Sequence, residues 1–388
     1  MIRRFVLAVL LAAAAAPAAA QEPWRSSYFP YLMGNPTDGF TVVGRWQRTR
    51  NAPYFVSRTD TEDVINPITF RGALSAEAGI GTLGSRFARV EFRAPGLVDG
   101  WRFRGLLGAE RVGRFAYYGL GGDIERAESA ADPNASFYRV HRSRYLSRAE
   151  VSRKIHGGLR VALAAALDRT DFNRLRDSSM FASQVGARVA RTDLVLRPAL
   201  VLDTRDLEFT PGNGLLLEVG AGFGTARESN PGDDQSLYAF GYAHLRGFIS
   251  PREGTVIAGR YLVRAMEDAA PFAARFGLPG WERDVSFSGP DGHRSFPTGA
   301  LAGTGVQLAS LEVRHDLLNA GDLGAVTFVG FTDFAHVEDN AARFRYQTDQ
   351  WGGGAGVALR VLRSAILSIN FAGGANGFNF SMGTGWAF

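Results

Sequence analysis

Phe378-Asn379-Phe380-Ser381-Met382-Gly383-Thr384-Gly385-Trp386-Ala387-Phe388 is the stretch that decides the fold of this chain. Phe378, Phe380, Met382, Thr384, Trp386 and Phe388 share one parity, and Asn379, Ser381, Gly383, Gly385 and Ala387 share the other. A period of two sends alternate side chains to opposite faces of a strand. An amphipathic last strand of a soluble sheet would read the same way. A strand that is large and apolar on one side, small or polar on the other, and aromatic at its end is also what a transmembrane β-barrel needs, with its apolar side toward lipid.

The opposite end of the chain separates these readings. Arg3 and Arg4 precede the apolar run 5–16, followed by Pro17, Ala18-Ala19-Ala20 and Gln21. A charged start, an apolar middle and small residues before a cleavage point make a secretory signal peptide. Residues 1–20 are therefore expected to be removed, leaving 21–388 as one outer-membrane β-barrel domain. No other stretch is uninterruptedly apolar over the ~20 residues that a membrane-spanning helix requires. The chain has no cysteine, which excludes disulfides and any cysteine-based metal or nucleophile site. An exported chain without a helical anchor belongs in the bacterial outer membrane or the periplasm.

Composition agrees with a barrel. There are 47 glycines and 28 phenylalanines, and the formal net charge is +5, two units of which leave with Arg3 and Arg4. Lys154 is the sole lysine. The arginines alternate with Asp and Glu along strand-like segments and form no basic block, which argues for the lining of a lumen and against nucleic acid as a partner.

Strand-like segments recur over 28–33, 40–50, 69–80, 86–95, 101–112, 138–155, 159–168, 193–205, 214–223, 237–248, 255–265, 305–316, 325–336, 352–362, 365–371 and 378–388. The fold class is all-β, a single transmembrane barrel of about sixteen antiparallel strands. In one segment Ala88, Val90 and Phe92 oppose Arg89, Glu91 and Arg93; in another Ile257, Tyr261 and Val263 oppose Arg260 and Arg264. Closure leaves no unpaired strand edge in lipid. The longer connections are 113–137, 170–192 and 266–304, and the last is long enough to be functional. The connection 51–68 is too long for a short periplasmic turn.

In this strand order the chain resembles the barrel of the BamA/TamA-type outer-membrane superfamily, the bacterial surface-antigen family. His293-Arg294-Ser295-Phe296-Pro297 resembles the family's Val-Arg-Gly-Phe/Tyr loop motif, Ser310-Leu311-Glu312 its Ser-Leu-Glu segment, and Phe331-Thr332-Asp333-Phe334-Ala335 its Phe-x-Asp-x-Gly motif. Tyr117-Tyr118-Gly119-Leu120-Gly121, Asp203-Thr204-Arg205-Asp206 and Pro211-Gly212-Asn213-Gly214 are also similar. Ser295 and Ala335 depart from the motif glycines. About seven residues lie between the signal and the first strand, so a barrel-only member without POTRA domains, and without an attached patatin-like lipase, is expected. The resemblance implies a loop folded into the lumen. It further implies an assembly signal in Ser381, Gly383, Trp386 and Phe388, with the two aromatics at the membrane rim.

The physical chemistry of the motif stands beside the name. Glu312 shares its polar parity with Ser310 and Arg314, and so points into the lumen, as Asp333 can from the neighbouring strand. A loop arginine at 294 can fork across both carboxylates; a solvated surface arginine is the alternative. Pro30, which cannot donate a ladder hydrogen bond, suits an edge. With Gly383 and Gly385 opposite, this predicts the weakest pairing between the first and last strands.

By resemblance, the expected role is to help polypeptides insert into or cross the outer membrane through that seam. The partners would be outer-membrane lipid, client polypeptides and, during its own biogenesis, the barrel-assembly machinery. A structural or passive pore is the alternative. An enzyme comes third: none of the six histidines has HExxH spacing and no Gly-x-Ser-x-Gly turn occurs. No cofactor or metal is expected.

Overall fold

The computed structural model describes residues 24–35, 39–51, 70–121, 136–228, 235–281, 284–321, 324–340, 350–361, 365–374 and 377–388. The expected signal peptide and the connection 52–68 lie outside these residues.

Sixteen strands close into one barrel. In chain order they are β1 (Arg25–Asn35), β2 (Gly39–Asn51), β3 (Phe70–Gly81), β4 (Arg86–Ala94), β5 (Trp101–Ala116), β6 (Arg139–His156), β7 (Leu159–Arg174) and β8 (Arg188–Asp203). The second half comprises β9 (Gly214–Glu228), β10 (Gln235–Arg252), β11 (Thr255–Met266), β12 (Gly305–Asn319), β13 (Gly324–Glu338), β14 (Gln350–Val361), β15 (Ala365–Gly374) and β16 (Gly377–Thr384). Each strand pairs antiparallel with its chain neighbours, and β1 returns to β16.

Alternation builds the two faces of the wall. In β7, Ala162 and Ala164 are buried toward the lumen, while Val161, Leu163 and Leu167 stand out on the wall. Outward apolar side chains on a closed barrel meet lipid, so their exposure stabilises the membrane-inserted state. Strands β5 and β6, and β11 and β12, meet their two long connections at the end opposite to the chain termini. In outer-membrane barrels the longer loops are extracellular.

Several expected strand bounds shift. β7 and β8 run on to Arg174 and back to Arg188, where the sequence pattern ends at 168 and 193. Their extension is polar: Asp171 pairs with Ala190 in register and accepts from Arg188 Nε at 3.1 Å. Above the lipid a ladder needs no apolar face. Strand β16 stops at Thr384 instead of continuing to Phe388, because Gly385 adopts φ +87° and turns the chain inward. Wall height is also uneven. Strand β16 has 8 residues and β4 has 9, against 18 in β6 and in β10. At ~3.4 Å per residue and a tilt of ~40°, that is roughly 20 Å of wall beside the seam against roughly 45 Å elsewhere.

Candidate functional site

The connection 267–304 is folded into the lumen and has an apolar core of its own. Leu278, Val285, Phe287, Phe296 and Leu301 are buried with Leu262, Val306, Leu308 and Val337 of the wall. Removing this apolar surface from water holds the loop inside the barrel. A two-rung ladder of Gly277–Leu278 with Val285–Ser286 stiffens it. Gly289, at φ +94°, makes the tight reversal that presents residues 293–296: its N–H donates to the His293 carbonyl at 3.1 Å. A Cβ there would strike Thr298, so glycine is required.

Arg294 sits between two strands. Its Nε and Nη2 donate to Asp333 Oδ2 and Oδ1 at 2.8 and 2.9 Å, and its backbone N–H reaches Asp333 Oδ2 at 3.0 Å. Nη1 donates to Glu312 Oε2 at 2.5 Å. The Arg294, Glu312 and Asp333 side chains are each about 1% exposed. The guanidinium also lies 3.5 Å from the centre of the Phe331 ring. Burial opposes the Arg294 charge, and the Asp333 and Glu312 carboxylates outweigh it, holding the group above the usual arginine range. A bidentate fork of this kind sets orientation as well as energy.

The network extends past the residues that the sequence singled out. Glu312 also accepts from Arg314 Nε at 2.6 Å, and Arg314 Nη2 donates to the Phe388 carbonyl at 3.0 Å. Asn379 of β16 donates from Nδ2 to the carbonyls of Arg294 and Phe296 at 2.8 and 3.2 Å. Phe296 is buried, edge-on to His293 with ring centres 4.9 Å apart. The Ser295 hydroxyl, in the place of the motif glycine, lies 3.0 Å from His293 Nδ1 and fits where Gly352 leaves room: a Cβ on Gly352 would come within 2.3 Å of it. Ala335 lies in the apolar cluster under the loop. Pro30 lies in β1 opposite Gly44. Ser381 is buried on the lumen side, paired in register with Asn370, and Gly383 stands opposite Ser368.

Trp386 and Phe388 are not at the membrane rim. The turn at Gly385 brings Trp386 over the Arg314 guanidinium at 4.3 Å and buries Phe388 with Phe248 and Ala258, 4.8 Å from Arg260. The physical reason is that Arg260 and Arg314 face the lumen and offer the aromatic rings cation–π partners there. Alternation continued through 388 has no way to signal that departure.

The loop has a second anchorage that the sequence reading did not find. Trp281 packs on Ala162, Ala199, Val201 and Leu216 on the far wall, and its backbone N–H donates to Glu218 Oε2 at 2.9 Å. Arg197 and Arg104 donate to the carbonyls of Gly280 and Trp281 at 3.2 and 3.1 Å, and Arg148 pairs with Asp284 at 2.5 Å. Arg264 and Arg260 staple the loop backbone nearer its root, for example to the Gly277 carbonyl at 2.6 Å and the Gly292 carbonyl at 3.1 Å. The loop thus bridges opposite walls. Alternation marked these arginines as lumen-facing but carried nothing about which carbonyls they meet.

Residues 71–386 match the model of the Omp85 superfamily domain. Among solved structures, the chain is similar to BamA from Haemophilus ducreyi lacking POTRA domains 1–3, with TM-score 0.52 and 14% identity over 93% of this chain and 70% of that one. It is similar to CdiB from Escherichia coli, with TM-score 0.55, 11% identity, and 94% and 64% of the two chains covered. For CdiB from Acinetobacter baumannii the values are 0.50, 12%, 94% and 60%. The chain therefore spans less than two thirds of either CdiB. At these identities the likeness is one of fold. No curated protein matches the chain.

Proposed function

The chain belongs to the Omp85 superfamily of outer-membrane barrels, and we propose that it helps polypeptides insert into or cross the outer membrane through the seam between β1 and β16. One observation carries this reading. Among the described residues, β1 and β16 share a single register pair, Gly34 with Met382, whereas β1 and β2 share eleven, from Arg25–Thr49 to Asn35–Gly39. Each missing rung is a backbone hydrogen-bond opportunity that another chain's strand can take. The short wall at β16 supports the same reading, since lipid beside it must thin to match the barrel. The work proposed is conformational and uses no catalytic residue. Its partners are client polypeptides and the surrounding lipid, with the assembly machinery acting on the barrel during its own biogenesis.

The test locks the seam. With no native cysteine, Gly34→Cys with Met382→Cys places a disulfide across the one register pair, where neighbouring strands suit its geometry. The locked protein should deplete other barrels from the outer membrane, and reductant should restore them. An unchanged outer-membrane proteome with the seam oxidised would overturn the reading. Solute leakage changing alone would instead favour a passive pore.

A further inference from the structure

The outer wall carries a groove that the seam does not explain. It has a volume of about 1080 Å³ and crosses β1 to β8. One row of cross-strand partners forms its floor: Pro30, Gly44, Ala78, Ala88 and Ala109, which then meets Tyr145 and Arg169. Nothing lies within 4 Å of where a Cβ on Gly44 would stand. The row toward the chain termini supplies one bank, with Tyr28, Trp46, Val90 and Leu107. The row toward the long loops begins Leu32, Val42, Ile80 and continues as Arg86 and Arg111.

Arg86 and Arg111 are direct cross-strand partners, both exposed on the outward face. Like charges placed opposite one another destabilise a sheet unless something neutralises them. Among the described residues no carboxylate pairs with Arg86, Arg111 or Arg169. The nearby outward acid, Asp171, is already held by Arg188 and Asn173. Arg86 opens β4 directly after the turn 82–85, which puts the pair at the end of the wall, at headgroup depth on the long-loop side. The pair stands beside the floor, one row from Ala88 and Ala109. An unneutralised arginine pair bordering an apolar trough has the charge pattern of a lipid anion, with its phosphate on the bank and hydrocarbon along the floor. From Ala109, next to the pair, to Pro30 the floor spans four strand spacings, ~19 Å at ~4.8 Å each, the scale of an extended acyl chain.

We propose that this groove is a binding site for one phosphate-bearing anionic lipid, with its phosphate between Arg86 and Arg111 and an acyl chain laid over Gly44, Ala78, Ala88 and Ala109. The site is independent of any client passing the seam, so its test does not involve one. Purified, delipidated barrel in detergent is titrated with phosphatidylglycerol and with phosphatidylcholine of the same chains, and retained lipid is counted by native mass spectrometry. Wild type should retain phosphatidylglycerol at least about fivefold better. Arg86→Gln with Arg111→Gln should bring the two lipids level. Gly44→Leu, whose Cβ meets nothing within 4 Å, puts a side chain on the floor and should lower retention of both. Heat-modifiable mobility checks that each variant is folded. Equal retention of the two lipids by wild type, a double variant that keeps the preference, or undiminished binding in Gly44→Leu would each overturn the proposal.

Discussion

Arg314 lies against Trp386 at 4.3 Å and holds Glu312 at 2.6 Å, so the last residues of the chain and the loop arginine Arg294 share one charge network. The turned-in end of β16 is therefore tied to the loop as well as to the seam. Disturbing either should be felt by the other.

The first prediction concerns the centre of that network. Arg294→Ala leaves Asp333 as a buried carboxylate without its paired cation, and Glu312 with Arg314 alone. Breaking a fully buried pair costs on the order of 3–5 kcal/mol, and lumen water should reduce this figure. Arg294→Lys should recover only part of it, because an ammonium cannot span two carboxylates. Melting temperature and loop protease sensitivity measure both; a lysine variant as stable as wild type would remove the fork as the cause.

Truncating Trp386 to alanine should take away the ring over Arg314 and with it about 0.5–2 kcal/mol. Loop protection should fall with it. Protease sensitivity of 267–304 equal to wild type would show that tail and loop are independent.

Acid should also loosen the loop. Burial pushes the His293 imidazole below its ordinary range, with Arg294 and Arg260 acting in the same direction and Asp333 and the Gln350 carbonyl against it. With the folded value depressed, the unfolded chain takes up the proton first. Stability is then fully present above ~6.5 and is lost as the pH falls from there toward the folded value. Thermal unfolding at pH 7.5 and pH 5 should show a larger drop for wild type than for His293→Gln.

The far anchorage is separable from the near one. Trp281→Ala removes a buried indole from the patch at Ala162, Ala199, Val201 and Leu216, a loss on the order of 3 kcal/mol. It should free Gly280, Trp281 and Asp284 and raise single-channel conductance while the Arg294 side stays docked. Unaltered conductance would mean that the far contact does not narrow the lumen.

Hydrogen exchange reads the seam directly. Amides of β1 and β16 should exchange faster than those of β12, which pairs over residues 305–315 on both sides. Uniform protection around the barrel would end the case for a seam that opens.

Much of this was legible in one dimension. Alternation separated Ala162 and Ala164 from Val161 and Leu163, and parity put Glu312 and Asp333 on lumen faces, between which Arg294 lies. The polar extensions of β7 and β8 leave no periodic signal, because outside lipid a ladder such as Asp171–Ala190 can form without an apolar face. Alternation puts Trp386 and Phe388 on the wrong side because a single φ at Gly385 overrides a pattern that continues unbroken past it.

By itself, then, the sequence determined the period-two strands, their approximate number, the faces they turn to lumen and lipid, and the charged residue types inside. These follow from neighbours along the chain, whose side chains must alternate. Only the tertiary structure decided that Trp281 crosses to Leu216, that Arg314 meets Phe388, and that Gly44, Ala78, Ala88 and Ala109 line up beneath Arg86 and Arg111. Those relations depend on register between strands and on closure of the wall. Both bring together residues whose separation along the chain leaves no local trace.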